Sequence, residues 1–252
     1  MINSQYFQIM KKLFLLAALM SATLMLFAQP TGSKGGKFTV ASGVQVRFSQ
    51  GNLQFNVSQG THQTADGSQK GTWRFAENQY DTIGKSNTNI IVENYTGWIS
   101  LFGWGTSGYN GKSPMMYVYD NAQYGDGTSD IAGTNYDWGV YNAISNGGNK
   151  PGLWRTPTRE EYSYMLKNRA NAEKLWSRGE VNGIDGFIFL PDDWTLPAGI
   201  TFTPKAHYYD NVYTIEQWTQ LENNGAIFIP KEGRQNYSTS NYRMEYTTGS
   251  HY

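Results

Sequence analysis

GLWRTPTREEYSYML, residues Gly152–Leu166, contains the signals of a strand end, a turn and the start of a helix. Thr158 and Glu161 have the spacing of a capping box, in which each side chain accepts a hydrogen bond from the other residue's backbone amide. This spacing predicts a helix that begins at Arg159. Apolar residues then recur at three- and four-residue intervals, which is typical of one buried helix face: Tyr162, Met165 and Leu166.

Further along the chain, local signals predict a hairpin and a second helix. Asn182 and Gly183 stand between apolar residues, which favours a tight hairpin turn leading into the buried strand GFIFLP. Thr214 and Gln217 form a second capping box, and Gly225 is a helix stop before the strand AIFIP. The order helix, hairpin, helix, strand predicts an α+β fold.

The first half of the chain has strand and loop signals. VQVRFSQGNLQFNV alternates apolar and polar residues on both sides of Gln50 and Gly51, which indicates two short strands across a turn or bulge, and TWRF indicates another. Residues 94–149 are almost all turn-forming sequence with many aromatic residues. We therefore expect a loop-rich domain with short strands, two or three short helices, and loops held in place by aromatic side chains.

Composition excludes several classes of protein. The chain has 252 residues, of which 39% are hydrophobic and 16% charged, as expected of a globular domain. Its 20 basic residues equal its 20 acidic ones without a basic stripe, which argues against a partner of DNA or RNA. The absence of cysteine excludes disulfides, thiolate metal ligands, cysteine nucleophiles and a lipid-modified cysteine, and it favours a bacterial source for a secreted chain.

The N-terminus has the pattern of a secretory signal. Lys11 and Lys12 precede an apolar run that ends at the small residue Ala28, so residues 1–28 are predicted to be a signal peptide, with Met10 as an alternative start. We expect a secreted protein, extracellular, at the cell surface or in the periplasm, without a membrane span after cleavage. The glycine-rich residues 29–40 are predicted to be a flexible lead-in, and residues 41–252 a single domain.

Several stretches together resemble one family of secreted bacterial proteins. They include VRFSQGNLQF, TWRFAENQYDTIG, GWISLFGWGTSGYN, TNYDWGVYNAISNGG, GLWRTPTREEY and FIFLPDDWTLPAGITFTP, within about residues 44–235. They are similar to the Fibrobacter succinogenes major paralogous domain, which is in turn similar to the formylglycine-generating (sulfatase-modifying) enzymes, a variant of the C-type lectin fold. The resemblance implies a C-type-lectin-like, formylglycine-generating-enzyme-like fold for residues 41–252. The enzymes use cysteines that this chain lacks, so we expect no catalysis.

The resemblance also concerns the end of the chain. Family members continue past a glycine-rich turn into a strand similar to YWSST, whereas this sequence ends at TTGSHY. It therefore implies that the C-terminal strands are missing. In that fold the first and last strands pair, so the strand near Val44–Phe48 is expected to be an open sheet edge.

One loop has the oxygen-rich composition of a calcium site. Asp126, Asp130, Asn135 and Asp137 fall within 12 residues of turn-forming sequence. The spacing does not match the EF-hand pattern. Calcium binding through Asp126, Asp130 and Asp137 and ordinary turns made by these side chains are both consistent with it.

Aromatic residues near the same loop suggest a platform for a sugar. Stacking of sugar faces on rings, with amides bonding the hydroxyls, is one interpretation, and a core role for the rings is the other. The candidate ligand-binding residues are Trp104, Tyr109, Tyr136 and Trp138, with Tyr117 and Tyr119 nearby.

The sequence therefore predicts a non-catalytic, secreted or surface-exposed binding module for a glycan or a surface protein. Glu160 and Glu161 point in different directions on a helix, and Asp192 and Asp193 enter a loop, so neither pair suggests acid–base catalysis. Two alternatives stay open: a structural or adhesin subunit completed by a partner strand, and a truncated paralogue without function.

Overall fold

The computed structural model describes residues 30–56, 71–84, 87, 95–114, 129–236 and 243–245. These residues form small β-sheets and a few short helices, which confirms the predicted α+β class. The predicted signal peptide, Asp126, Tyr117 and Tyr119 lie outside the described residues. Among the described residues, no helix combines the length and the apolar character needed to cross a bilayer.

Strands β1 (Phe38–Ala41) and β2 (Val44–Val46) form an antiparallel pair. Phe38 and Val40 alternate into the core and are 0% and 3% exposed. The structure thus corrects the predicted lead-in over 29–40, because β1 begins inside that segment at Phe38. The preceding residues are also bonded to the domain, since the Lys34 amide donates to the Phe48 carbonyl at 2.9 Å.

Strands β3 (Leu53–Asn56), β4 (Thr72–Phe75) and β5 (Trp98–Ile99) form a three-stranded antiparallel sheet in the order β4-β3-β5. The two strands predicted around Gln50 and Gly51 exist as β2 and β3, but they belong to different sheets. The reason is that the chain at Ser49 pairs with Ser33 rather than turning back on itself.

Three α-helices occur in the described residues: α1 (Trp138–Tyr141), α2 (Arg159–Lys167) and α3 (Ile215–Asn223). The capping box predicted for α2 is confirmed, because the Glu161 amide donates to Thr158 Oγ1 at 3.1 Å and the Thr158 amide donates to Glu161 Oε2 at 2.9 Å. The box of Thr214 and Gln217 at α3 is confirmed at 3.3 and 3.0 Å.

Strands β6 (Trp176–Val181), β7 (Ile184–Phe189), β8 (Val212–Tyr213) and β9 (Ile227–Pro230) form a four-stranded sheet in the order β8-β6-β7-β9. β8 runs parallel to β6, and the other pairs are antiparallel.

The turn between β6 and β7 confirms the predicted tight hairpin. Asn182 and Gly183 have φ angles of 52° and 78°, and Val181 pairs with Ile184 across the turn. Two successive positive φ angles are what a type I′ turn requires, which explains the Asn-Gly sequence. A last short pair, β10 (Arg234–Asn236) and β11 (Arg243–Glu245), is antiparallel.

The buried side chains form three clusters. The first lies between the four-stranded sheet and α3 and includes Ile188, Trp218, Leu221 and Phe228. The second contains Phe38, Val40, Met165, Phe189 and Ile227, so α2 and β1 pack on the opposite face of that sheet. The third belongs to the three-stranded sheet and contains Phe55, Trp73, Phe75, Ile99 and Ile144.

Candidate functional site

Two loops are held together at the edge of the three-stranded sheet. They are the loop that follows β5 and the loop that leads into α1. Ser107 Oγ donates to the Asn135 carbonyl at 2.6 Å, and Asn142 Nδ2 donates to the Ser107 carbonyl at 2.8 Å. Trp104 Nε1 donates to the Ser129 carbonyl at 2.7 Å. These bonds fix aromatic residues that are far apart in the sequence beside one another.

A tyrosine cluster, defined as Tyr109, Tyr136 and Tyr141, lies where the loops meet. The Tyr109 ring contacts those of Tyr136 and Tyr141 edge to face, with centroids 5.1 and 5.4 Å apart. The exposed Asn110 donates through Nδ2 to the Tyr136 hydroxyl at 3.2 Å. Since Tyr141 is 37% exposed, the cluster presents ring surface, a hydroxyl and an amide to solvent.

Trp104 and Trp138 form a second aromatic pair, with ring centroids 5.8 Å apart. Trp138 also contacts Phe102 at 5.2 Å, and Phe102 contacts Trp73 of the core at 5.3 Å. The Trp138 Nε1 atom is buried without a hydrogen-bond partner. The structure therefore divides the four predicted ligand-binding residues: Tyr109 and Tyr136 meet in the tyrosine cluster, while Trp104 and Trp138 extend from the core.

Tyr141 is the member of the cluster that the sequence analysis missed. It is the last residue of α1, within a segment whose many Asn, Gly and Asp residues predict a loop. The signal that could have indicated this helical turn is Asp137, because aspartate is a favoured N-cap residue and the next four residues can form one turn.

Asp137 caps α1. Its side chain is buried, with 1% exposure, and accepts bonds from the Gly139 amide at 3.2 Å, the Thr156 amide at 2.7 Å and the Thr156 hydroxyl at 3.2 Å. Burial raises the pKa of Asp137, and these donors oppose the shift by stabilising the ionised form. Both carboxylate oxygens are thereby engaged in holding the chain before α2 against α1.

The predicted calcium ligands therefore have other roles where they are described. Asp130 is exposed and accepts from the Ala132 amide at 2.9 Å, which is an Asx turn. In the described part of the chain, no three His, Asp or Glu side chains group in a way that could hold a metal ion. Calcium binding that involves Asp126 stays a prediction.

Glu161 has a further partner beyond its cap. Arg155 donates to Glu161 through two nitrogens, with Nη1 2.6 Å from Oε2. The Arg155 hydrogen bonds hold the pKa of Glu161 below its usual value. This bidentate pair precedes and secures α2, so Glu161 has a structural role, in agreement with the sequence interpretation.

A buried polar cluster lies at the start of the loop that follows β5, and no local sequence pattern predicts it. We define it as Glu232, Asn52, Asn87 and Ser100. Glu232 is 6% exposed, and its carboxylate accepts from Asn52 Nδ2 at 3.1 Å and from the Ser100 hydroxyl. Burial raises the pKa of Glu232 to about 7, against the opposing effect of the Asn52 bond.

A comparison of the chain with protein-family models, curated proteins and solved structures finds no match.

Proposed function

We propose that this chain is a secreted or surface-exposed binding module of C-type-lectin-like architecture that binds a glycan through the tyrosine cluster. The observation that carries the proposal is the pairing of Tyr109 with Tyr136 and Tyr141 beside the Asn110 amide. Rings with an apolar face and a polar edge suit a sugar, which has both C–H faces and hydroxyl groups.

The chemistry of the cluster favours a neutral sugar. Its three phenols and the Asn110 amide are uncharged groups that donate and accept hydrogen bonds. Tyr141 supplies an exposed ring face, while Asn110 and Tyr136 are already bonded to each other at 3.2 Å and are thus held in place before a ligand arrives. Such preorganisation lowers the entropy cost of binding. That the module is non-catalytic rests on the chain's lack of cysteine.

A glycan array probed with the purified protein tests this proposal. We expect binding to neutral glycans, and the Tyr141→Ala variant should bind about tenfold more weakly because a stacking surface is lost. Tyr209→Ala is the matched control, since Tyr209 is a 75% exposed tyrosine that stacks on His207 elsewhere on the domain.

Two results would contradict the proposal: no binding to any glycan, or equal losses in the Tyr141 and Tyr209 variants. Repeating the array with calcium and with a chelator separates a calcium-dependent contribution to binding from that of the tyrosine cluster.

A second function, a subunit completed by a partner strand, is favoured by the edge of β2. Among the described strands, β2 pairs with β1 alone, and Val44 is 46% exposed on it. An exposed edge with an apolar side chain suits the addition of another strand. If the protein associates through this edge, sedimentation velocity should show oligomers that Val44→Pro abolishes, because proline removes an edge donor. A monomer that binds glycan would exclude this function in favour of the first.

A further inference from the structure

Glu232 lies at a junction between two sheets. It follows the end of β9 at Pro230, while Asn52 immediately precedes β3 and Ser100 immediately follows β5. Its Oε1 atom accepts from Asn52, and its Oε2 atom accepts from Ser100. One carboxyl group therefore joins the edge strand of the four-stranded sheet to two strands of the three-stranded sheet.

Asn87 extends this junction to the loop after β5. It is 1% exposed, and its Oδ1 atom accepts from the amides of Ser100 at 2.7 Å and Leu101 at 3.0 Å. Its Nδ2 atom lies 3.3 Å from Ser100 Oγ. Phe102 follows Leu101 directly and packs on Trp138. The polar cluster therefore fixes the position of the first residues of the loop that carries Tyr109.

The partners that the described structure gives Glu232 are uncharged. Besides Asn52 and Ser100, they are the Asn87 side chain and the Ile83 amide. Three charged side chains on neighbouring elements have partners of their own: Arg74 with Gln54, Asp81 with Asn78, and Lys231 with Asp185. The buried carboxylate thus has several donors and no described counter-ion, and desolvation outweighs the hydrogen bonds.

We propose that Glu232 is a protonation switch, whose neutral form holds β9 against β3 and β5 and whose ionised form loosens the loop after β5. The neutral acid is a donor as well as an acceptor, so it satisfies the Ser100 hydroxyl without a buried charge. The ionised acid draws water into the junction. This proposal does not depend on glycan binding.

The direction of the pH effect follows from proton binding in the two states. The pKa of Glu232 rises from 4.5 to about 7 on folding, so the folded chain keeps a proton that the unfolded chain releases. The stabilisation is fully present below pH 4.5 and is lost as the pH rises to about 7. Between pH 5 and pH 8, the folding equilibrium constant should fall by roughly two orders of magnitude through this group.

Urea unfolding of the full chain at pH 5, 6, 7 and 8 measures this effect. We expect Glu232→Gln to remove most of the fall, because glutamine resembles the neutral acid and does not titrate in this range. Glu180→Gln, at a partly exposed position of β6, is the control and should retain the fall. In the unaltered protein, the Leu101 amide should also exchange hydrogen faster at pH 8, after correction for the intrinsic rate, than in Glu232→Gln.

An unchanged pH slope in Glu232→Gln would overturn the proposal. If that variant does not fold, Asn52→Ala provides the test. Removing the Asn52 donor takes a bond from the ionised form, so the midpoint of the pH dependence should move to higher pH. A midpoint that does not move would also overturn the proposal.

Discussion

Arg169 is a cation in the interior of the domain. Its side chain is 0% exposed, and it donates through Nε to the Met165 carbonyl at 2.8 Å and through Nη1 to Asp192 Oδ1 at 3.3 Å. Asp192 also accepts from Thr39 at 2.6 Å and from Gln45 at 2.8 Å. Burial lowers the pKa of Arg169, and Asp192 opposes that shift. A buried charge is tolerated here because the Met165 and Leu175 carbonyls accept from it and Asp192 supplies a counter-charge.

Replacing Asp192 by Asn should be strongly destabilising. Arg169 would stay buried without its counter-charge, which costs roughly 3–5 kcal/mol of unfolding free energy. Asp193→Asn is the control, because Asp193 is exposed and its replacement should cost less than about 1 kcal/mol. Urea unfolding measures both, and similar values for the two variants would show that Arg169 does not depend on Asp192.

At the scale of single elements, the helix caps act within four residues. Thr158 and Thr214 each accept from the third helical amide and donate their own amide to a Glu or Gln side chain. Four amides at a helix start have no partner inside the helix, so a cap that satisfies one of them stabilises the element locally.

Thr158→Ala should lower the unfolding free energy by about 1 kcal/mol, because the Glu161 amide loses its acceptor. Thr219→Ala, on the exposed side of α3, serves as its control. The Thr219 hydroxyl donates to the Ile215 carbonyl within the helix at 2.8 Å, and its loss should change stability by less than about 0.5 kcal/mol. Thermal unfolding followed by circular dichroism compares them; an unaffected Thr158→Ala would mean that tertiary contacts alone hold the start of α2.

The β6–β7 turn gives a prediction about backbone conformation. A Cβ on Gly183 would meet no atom within 4 Å, so the cost of Gly183→Ala comes from its φ of 78° alone. We expect a loss of about 1 kcal/mol, measured by urea unfolding. Asn182→Gly should be tolerated, because glycine adopts the φ of 52° at that position without strain. A neutral Gly183→Ala would indicate that the turn changes type.

At the scale of the whole molecule, stability is concentrated around the four-stranded sheet. β7 has a core cluster on each face, since Ile188 belongs to one and Phe189 to the other. The loop at Asp130 depends instead on a turn made by an exposed side chain. Elements with many buried contacts open only with the whole domain, whereas exposed turns open locally.

Hydrogen exchange should reproduce this distribution. The Leu190 amide, bonded to the Leu175 carbonyl at 2.9 Å beside the core, should exchange at least about a thousandfold more slowly than the Ala132 amide, which is bonded to the Asp130 side chain. Mass spectrometry of peptides covering the two amides measures the difference. Equal rates would show that the sheet opens with the loops.

Features that depend on neighbouring residues could be predicted from the sequence. The two capping boxes and the Asn182–Gly183 turn follow from backbone chemistry over two to four residues. The helix face was predicted less completely, because Met165 is buried whereas Tyr162 and Leu166 are only partly buried.

The candidate site depended on contacts across the fold. The sequence around Asp137 is consistent with a calcium ligand and with a turn residue. Its structural role depends on a hydrogen bond from Thr156, which lies 19 positions away. Tyr109 and Tyr136 were predicted to bind a ligand together with Trp104 and Trp138. That the tyrosines and the tryptophans form two different pairs depends on how the two loops pack. Glu232 gives no local signal, since Asn52 is 180 positions away in the chain.

The sequence by itself determined the α+β class, the starts of α2 and α3, the β6–β7 hairpin and the absence of cysteine chemistry. Each of these follows from residue type or from interactions over a few positions, which the order of residues specifies directly. Only the tertiary structure decided the separation of β2 from β3, the formation of the tyrosine cluster, and the burial of Arg169 and Glu232. These depend on which distant segments exclude water from one another, and desolvation is a property of the packed chain rather than of any short stretch of it.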